Sequence, residues 1–149
     1  MEKNAVVAAL QRQQASALVL YLNYKKYHWL TFGPHFRDLH LLFGEHADQV
    51  LESVDELAER ALMIDGKPLA DAPQYLPASL IAPSEGELAV KQMLDEAIAA
   101  HDKVIRAMHD DADAASRLGD IGTADVFTRL VQVHQKQRWF LKEIARKER

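Results

Sequence analysis

Residues 34–65, PHFRDLHLLFGEHADQVLESVDELAERALMID, carry two different stripes of side chains at helical spacing. The first stripe is apolar and is expected to face the core of a helical bundle; it consists of Phe43, Ala47, Val50, Val54, Leu57 and Ala61. The second stripe mixes small, apolar and polar residues: His40, Gly44, Leu51, Asp55, Ala58 and Leu62, with Asp48 and Glu59 at its edge. A monomeric bundle needs only one buried face, so the second face predicts a two-fold contact between two copies of the chain.

Four potential metal ligands lie on this helix or just before it. His28 precedes His40 by twelve residues, and Asp55 precedes Glu59 by four. Two imidazoles and two carboxylates are ligands that iron accepts. His40 and Asp55 share the predicted helix, however, and a separation of fifteen residues places them about 22 Å apart. An iron site that uses all four residues would therefore need the histidines and the carboxylates to come from different copies of the chain. The alternative is that all four side chains are solvated or structurally hydrogen-bonded.

A first helix is predicted from about Asn4 to Thr31, because this segment lacks Gly and Pro. Most of its stripe follows three- and four-residue steps: Leu10, Ala17, Tyr21, Tyr24 and His28. Gly33-Pro34 separates it from the second helix, since Pro suits the first turn of a helix. That second helix is expected to run to about Asp65, with Gly66 as its end signal.

A third helix is predicted to open at Ser84, where Ser84 and Glu87 match a capping box, and to run to about Ser116. A fourth helix is predicted from about Thr123 to Arg146. The segment from Lys67 to Pro83 holds four prolines and indicates a long connection with at most a short helical turn. Four helices joined by short, long and short connections predict an all-α, ferritin-like four-helix bundle with a long crossover.

The composition narrows the possible functions. A chain of 149 residues fits one domain, and the net charge of −4 disfavours a general nucleic-acid binder. The absence of cysteine excludes disulfides and thiolate chemistry. The amino terminus lacks a signal-peptide pattern and no segment has the apolar length of a membrane span. We therefore expect a soluble, cytoplasmic protein that does not bind membranes.

Several local motifs together resemble the Dps family, the miniferritins. They are Tyr27-His28-Trp29, Gly33, Phe36, Leu39-His40, Asp55-x-x-Ala58-Glu59-Arg60, Gly119-Asp120-x-x-Thr123-Ala124-Asp125-x-Phe127 and Trp139-Phe140. The resemblance covers nearly the whole chain and implies a single ferritin-like Dps domain over residues 1–149. It also implies a hollow dodecamer that oxidises Fe(II), preferably with hydrogen peroxide, and stores the ferric mineral inside. In that family the ferroxidase centre lies at a two-fold interface, so His28 and His40 would come from one subunit and Asp55 and Glu59 from the other.

One position departs from the family pattern. Members commonly place an acidic ligand four residues after the second histidine, where this chain has Gly44. Glu45 or Asp48 could substitute for it, or the centre could have fewer carboxylates. This leaves open whether the centre holds one metal ion or two. The Glu-x-x-His pairs of in-bundle di-iron centres are absent from the chain, which disfavours an iron centre inside one subunit.

The remaining polar residues allow two interpretations. Asp120 and Asp125 would line a three-fold pore in the shell that the resemblance implies, although Asp120 could instead cap the fourth helix. The nearby Asp110, Asp111 and Asp113 are most simply a solvated helix end. Trp29 and Trp139 are interpreted mainly as packing residues, with quenching of oxidising equivalents as the alternative. The other histidines are expected to be surface or structural residues: His35, His46, His101, His109 and His134.

DNA binding is expected to be weak or absent. The first residues offer only Lys3 and Arg12, and residues 142–149 hold four basic and two acidic side chains, a local charge of 4 − 2 = +2. Besides an iron-oxidising enzyme, two alternatives stay open. One is a shell-forming, nucleoid-associated structural protein with weak or no ferroxidase activity, and the other is an unrelated helical oligomer without a metal.

Overall fold

The computed structural model describes residues 2–146 and contains four long helices and one short one. Helix α1 spans Glu2–Leu30, α2 spans Phe36–Met63, α4 spans Val90–Arg117 and α5 spans Ile121–Ala145. The short helix α3, Tyr75–Ala78, lies in the connection between α2 and α4, directly after a 3-10 turn at Ala72–Gln74. Helices α1 and α2 form one hairpin and α4 and α5 form the other, as the sequence predicts.

The core is formed by the faces that the hydrophobic spacing predicts. In α2 the buried residues include Phe43, Ala47, Val50, Leu57 and Ala61. The second face of α2 is uncovered in the single chain, because Leu51 and Leu62 remain exposed. The helix therefore has one side buried in its own bundle and an apolar side that no other part of residues 2–146 covers.

Buried polar residues of α1 hold the crossover against the bundle. The Gln14 side chain pairs with both backbone groups of Leu69, donating to its carbonyl at 2.8 Å and accepting from its N–H at 3.0 Å. Ser16 Oγ accepts from the backbone N–H of Leu80 at 2.9 Å. Asn23 accepts from the N–H of Ser84 at 2.8 Å. The long connection thus satisfies several of its backbone groups with side chains of α1.

The expected start of the third helix at Ser84 is wrong. Helix α4 begins at Val90, where the Gln92 side chain accepts from the backbone N–H of Ala89 at 2.8 Å. Ser84 Oγ instead accepts from Lys26 Nζ at 3.0 Å. Gly86 has φ +75°, a left-handed conformation that cannot continue an α-helix. Tertiary contacts with α1 have replaced the local cap.

The ends of α2 also differ slightly from the prediction. Pro34 lies in the turn before the helix, which begins two residues later at Phe36. At the other end Asp65 adopts φ +62°, and the N–H of Gly66 donates to the carbonyl of Ala61 at 2.8 Å. Gly66 is needed for close packing, because a Cβ there would lie 2.3 Å from a methyl carbon of Val7.

Candidate metal centre

The two predicted histidine ligands lie side by side where α1 and α2 meet. The rings of His28 and His40 are stacked, with centroids 3.8 Å apart and an angle of 13° between their planes. Nδ1 of His28 donates to the carbonyl of His40 at 2.5 Å, and Nδ1 of His40 donates to the carbonyl of His28 at 2.6 Å. Phe36 stacks on the other face of His40 at 5.2 Å. Each ring is therefore fixed by the backbone of the other histidine.

This reciprocal hydrogen bonding determines which ring nitrogen can bind a metal. A carbonyl oxygen only accepts, so Nδ1 of both His28 and His40 carries the proton. In the neutral rings the lone pair is then on Nε2. Metal-binding histidines are commonly oriented in this way, with the second nitrogen donating to a carbonyl or carboxylate. Nε2 is therefore the ring nitrogen with which His28 and His40 could each bind a cation.

Gly44 has a steric role in this arrangement. A Cβ at position 44 would lie 3.0 Å from both Cε1 and Nδ1 of His28, closer than ordinary van der Waals contact. The glycine lets the imidazole of His28 lie directly against the backbone of α2. Gly44, which departs from the family pattern, is therefore also the position at which the His28 ring lies close to the backbone of α2.

The two acidic residues are not near the histidine pair in the same chain. Asp55 and Glu59 are exposed on α2, and this single continuous helix also carries His40. Fifteen residues of helix span about 22 Å, so His28, His40, Asp55 and Glu59 of one protomer cannot bind the same metal ion. Within residues 2–146, no group of three or more His, Cys, Asp or Glu side chains could hold a metal ion. Glu45 and Asp48 are also exposed, on the same helix.

Comparison with known proteins gives the family. Residues 7–149 match the ferritin-like domain model. The chain is 34% identical to DNA protection during starvation protein 1 of Deinococcus radiodurans, over 99% of this chain and 72% of that protein. It is 59% identical to a solved Dps from Thermosynechococcus elongatus, with a TM-score of 0.97 over 99% of this chain and 94% of that one.

The chain belongs to the Dps family of ferritin-like proteins. A second similar structure is the Dps protein of Vibrio cholerae, described as a member of a broad superfamily of ferritin-like diiron-carboxylate proteins. It is 25% identical, with a TM-score of 0.92 over 97% of this chain and 91% of that one. The predicted fold and family resemblance are therefore confirmed.

For this Dps chain, we expect Gly44→Ala to weaken ferrous binding about tenfold, by displacing His28, at little cost in stability. The crowding cost of about 1 kcal/mol is offset by a similar gain in helix propensity when Ala replaces Gly. Anaerobic ferrous titration measures the affinity, and urea unfolding measures the free energy of unfolding. Glu52→Ala, at an exposed position of the same helix, is the control. Unchanged ferrous affinity in Gly44→Ala would show that the ring position is irrelevant to binding.

Asp120 caps α5, as one of the two interpretations predicts. Its Oδ1 accepts from the N–H of Thr123 at 3.0 Å and from Arg60 at 3.0 Å, and its Oδ2 accepts from Thr123 Oγ1 at 2.6 Å. Burial alone would raise the pKa of Asp120, but the hydrogen bonds from Thr123 and Arg60 outweigh it and lower the pKa. Asp125 is exposed one turn later. A pore role for either residue stays a prediction.

Replacing the cap should separate its structural role from its charge. Asp120→Ala is expected to lower the free energy of unfolding by about 1 kcal/mol, whereas Asp120→Asn, which can still accept from Thr123, should lose less. Because the folded pKa is depressed, the charge contribution is present above the ordinary carboxyl pKa and disappears as the pH falls through the lowered value. Urea unfolding at two pH values measures both effects. Equal losses in the two variants would contradict a capping role.

Sequence reasoning missed a buried polar cluster in the core. Tyr24 of α1, His46 of α2, His101 of α4 and His134 of α5 are all buried and joined by hydrogen bonds. The signal was present in the spacing, because His101 follows the buried Ala97 by four residues and precedes the buried Val104 by three. The two other histidines without a metal role, His35 and His109, are exposed.

Proposed function

We propose that this protein is a ferroxidase and iron-storage protein whose iron centres lie between two copies of the chain. His28 and His40 of one protomer and Asp55 and Glu59 of the partner subunit would bind Fe(II). The observation that carries the proposal is the reciprocal hydrogen bonding of His28 and His40, which uses Nδ1 of both stacked rings and leaves their Nε2 lone pairs for a metal ion. The uncovered second face of α2 supports a two-fold contact beside them.

The residues would bind ferrous iron before its oxidation. Neutral imidazole and ionised carboxylate together suit a borderline cation, and the negative charge favours the ferric product. With hydrogen peroxide, two ferrous ions each lose one electron, the O–O bond breaks, and two protons are taken up to give two water molecules. A paired two-electron reduction of this kind releases no hydroxyl radical. This chemistry would protect the cell against oxidative damage.

The oligomeric state, the substrate and the location of the protein are part of the same proposal. We infer a homo-oligomer, a hollow dodecamer of two-fold dimers, with iron as substrate and stored cargo and the cytoplasm as its location. Among the described helices, none is long and apolar enough to cross a membrane. The proposal of weak or absent DNA binding rests on the net charge of −4. The basic carboxyl-terminal cluster lies partly outside the described residues, since residues 147–149 are not described.

Peroxide consumption after addition of ferrous iron tests the proposed activity. The wild-type assembly is expected to oxidise iron rapidly, and His40→Ala is expected to lose roughly 100-fold in rate because one of two nitrogen donors is gone. Size-exclusion chromatography must show the same assembly for both proteins. An intact wild-type shell without this rate would favour the alternative, a shell-forming nucleoid-associated structural protein. A gel shift with tight DNA compaction at physiological ionic strength would contradict weak DNA binding.

A further inference from the structure

The buried cluster contains a phenol with a base held at its hydroxyl group. The side chain of Tyr24 is fully buried, at 0% exposure, in the middle of the bundle. Its Oη lies 2.5 Å from Nε2 of His101 and 3.1 Å from Nδ1 of His46. Burial, followed by the nearby Tyr27, raises the pKa of Tyr24, so the phenol stays protonated at neutral pH. The shorter of the two contacts of its hydroxyl group is the one to His101.

His101 is itself connected to a second imidazole. Its Nδ1 lies 3.0 Å from Nδ1 of His134, so one of these two nitrogens carries a proton and the other accepts it. Burial lowers the pKa of both His101 and His134, which keeps the two rings neutral. When Tyr24 donates to Nε2 of His101, the proton of His101 is on Nδ1 and points to His134. The hydroxyl group of Tyr24 thus faces the lone pair of His101, and His101 in turn donates a hydrogen bond to His134.

A buried phenol of this kind can lose an electron only if it loses its proton at the same time. A phenol cation radical would place an unpaired charge in a medium of low dielectric constant, at a high free-energy cost. Transfer of the proton to a base within hydrogen-bond distance leaves the oxidised ring neutral and moves the charge to an imidazole, which is a far stronger base than an oxidised phenol. On His101 that charge is shared through the hydrogen bond from its Nδ1 to His134. Tyr24 meets this requirement, because its hydroxyl group already contacts the lone pair of a neutral histidine.

We propose that Tyr24 and His101 form a one-electron oxidation site that traps the hydroxyl radicals produced when a single, unpaired ferrous ion reduces hydrogen peroxide at this protein. The electron passes from Tyr24 to the hydroxyl radical, which becomes hydroxide. The phenolic O–H bond breaks, an N–H bond forms at Nε2 of His101, and a neutral tyrosyl radical remains. One ferrous ion then returns an electron and becomes ferric, and the proton moves back from His101 to Tyr24. This inference rests on the proposed function, because the reaction of iron with peroxide is the source of the radicals.

A line of rings connects the buried phenol to the surface. The ring centroids of Tyr24 and His46 are 5.2 Å apart, those of His46 and Phe140 are 6.0 Å apart, and those of Phe140 and Trp139 are 5.1 Å apart. Trp139 is 57% exposed in the protomer. A radical formed outside the bundle can therefore oxidise Trp139 first. Tyr24 can then reduce the oxidised Trp139 by electron transfer through the closely spaced rings between them.

Two other tyrosines provide the comparison. Tyr27 is buried and donates to a carboxylate oxygen of Glu96, which is an intrinsically weaker base than imidazole. Tyr21 is only partly buried, and no side-chain hydrogen bond to it is found within the described part of the chain. Tyr24 is thus distinguished by its histidine partner rather than by burial alone.

Flash photolysis of the iron-free assembly tests the site without relying on ferroxidase activity. A photogenerated ruthenium(III) tris-bipyridine complex serves as the one-electron oxidant, and transient absorption and EPR spectroscopy detect the tyrosyl radical. The wild-type protein is expected to form a long-lived radical, and more slowly in D2O than in water. His101→Gln preserves a hydrogen-bond acceptor but removes the base, so the rate of radical formation should fall about 100-fold. Tyr21→Phe is the matched control and should behave as wild type.

Tyr24→Phe should abolish the long-lived radical. If this variant does not fold, the comparison of wild type, His101→Gln and Tyr21→Phe still decides the matter. An unchanged rate in His101→Gln, or an unchanged radical in Tyr24→Phe, would overturn the proposal. A parallel sample with ferrous iron and peroxide tests the proposed function separately. Failure to oxidise iron there would refute the ferroxidase and leave the photochemical result standing.

Discussion

An equal mixture of His40→Ala and Asp55→Asn protomers, dissociated and reassembled together, is expected to recover about a quarter of the wild-type rate of ferrous oxidation. Random pairing makes about half of the dimers hybrid, and each two-fold dimer has two centres. In a hybrid dimer one centre combines both defects, and the other combines an intact histidine pair with the intact acids. Each variant assembled alone should stay roughly 100-fold below wild type. The recovery is measured as peroxide consumed after addition of ferrous iron.

A second mixture serves as the control for this complementation. His28→Ala and His40→Ala change the same half of the proposed centre, because both rings lie together in one protomer. No arrangement of these two chains creates an intact histidine pair, so mixing should recover nothing. Recovery in the control, or none in the first mixture, would contradict ligands shared between subunits.

Helical spacing in the sequence was sufficient to predict the four long helices and the two faces of α2. The prediction failed at the start of α4, where Ser84 and Glu87 match a local capping pattern. There the side chains of Asn23 and Lys26, about 60 residues away, bind the segment and hold it extended. Local pattern rules contain no information about such distant partners. The error in the helix boundary therefore reflects the crossover lying along α1.

The candidate site, like the fold, could be predicted only in part from the sequence. The residue types and spacing identified His28 and His40, but not that each ring would donate to the carbonyl of the other. That contact depends on how closely α1 approaches α2, which Gly44 permits. The contribution of Asp55 and Glu59 from the partner subunit stays a prediction. The sequence predicts only surface or structural roles for His46, His101 and His134, and it does not predict that the three rings lie together around Tyr24.

The free energy of unfolding is expected to fall steeply as the pH is lowered from about 6.5 to about 4, because buried His134 resists protonation. Burial lowers the pKa of His134 to about 4. Between these pH values the unfolded chain binds a proton that the folded chain does not bind. Stability is therefore fully present above the unfolded pKa and is lost as the pH falls. The loss is about 3 kcal/mol for this side chain by pH 4, and His101, whose pKa is also lowered, adds to it.

Urea unfolding followed by circular dichroism at a series of pH values, at one protomer concentration, measures this dependence. His134→Gln removes the titrating ring while keeping a polar side chain next to His101, so its stability should change less between neutral pH and pH 4 than that of wild type. The expected difference is about 3 kcal/mol. His109→Gln removes an exposed histidine and should follow the wild-type curve. If the curve of His134→Gln instead runs parallel to those of wild type and His109→Gln, the acid sensitivity arises at another group. Each of the two Gln variants lacks one histidine, so their unfolded chains titrate alike and a difference between them reports on the folded state.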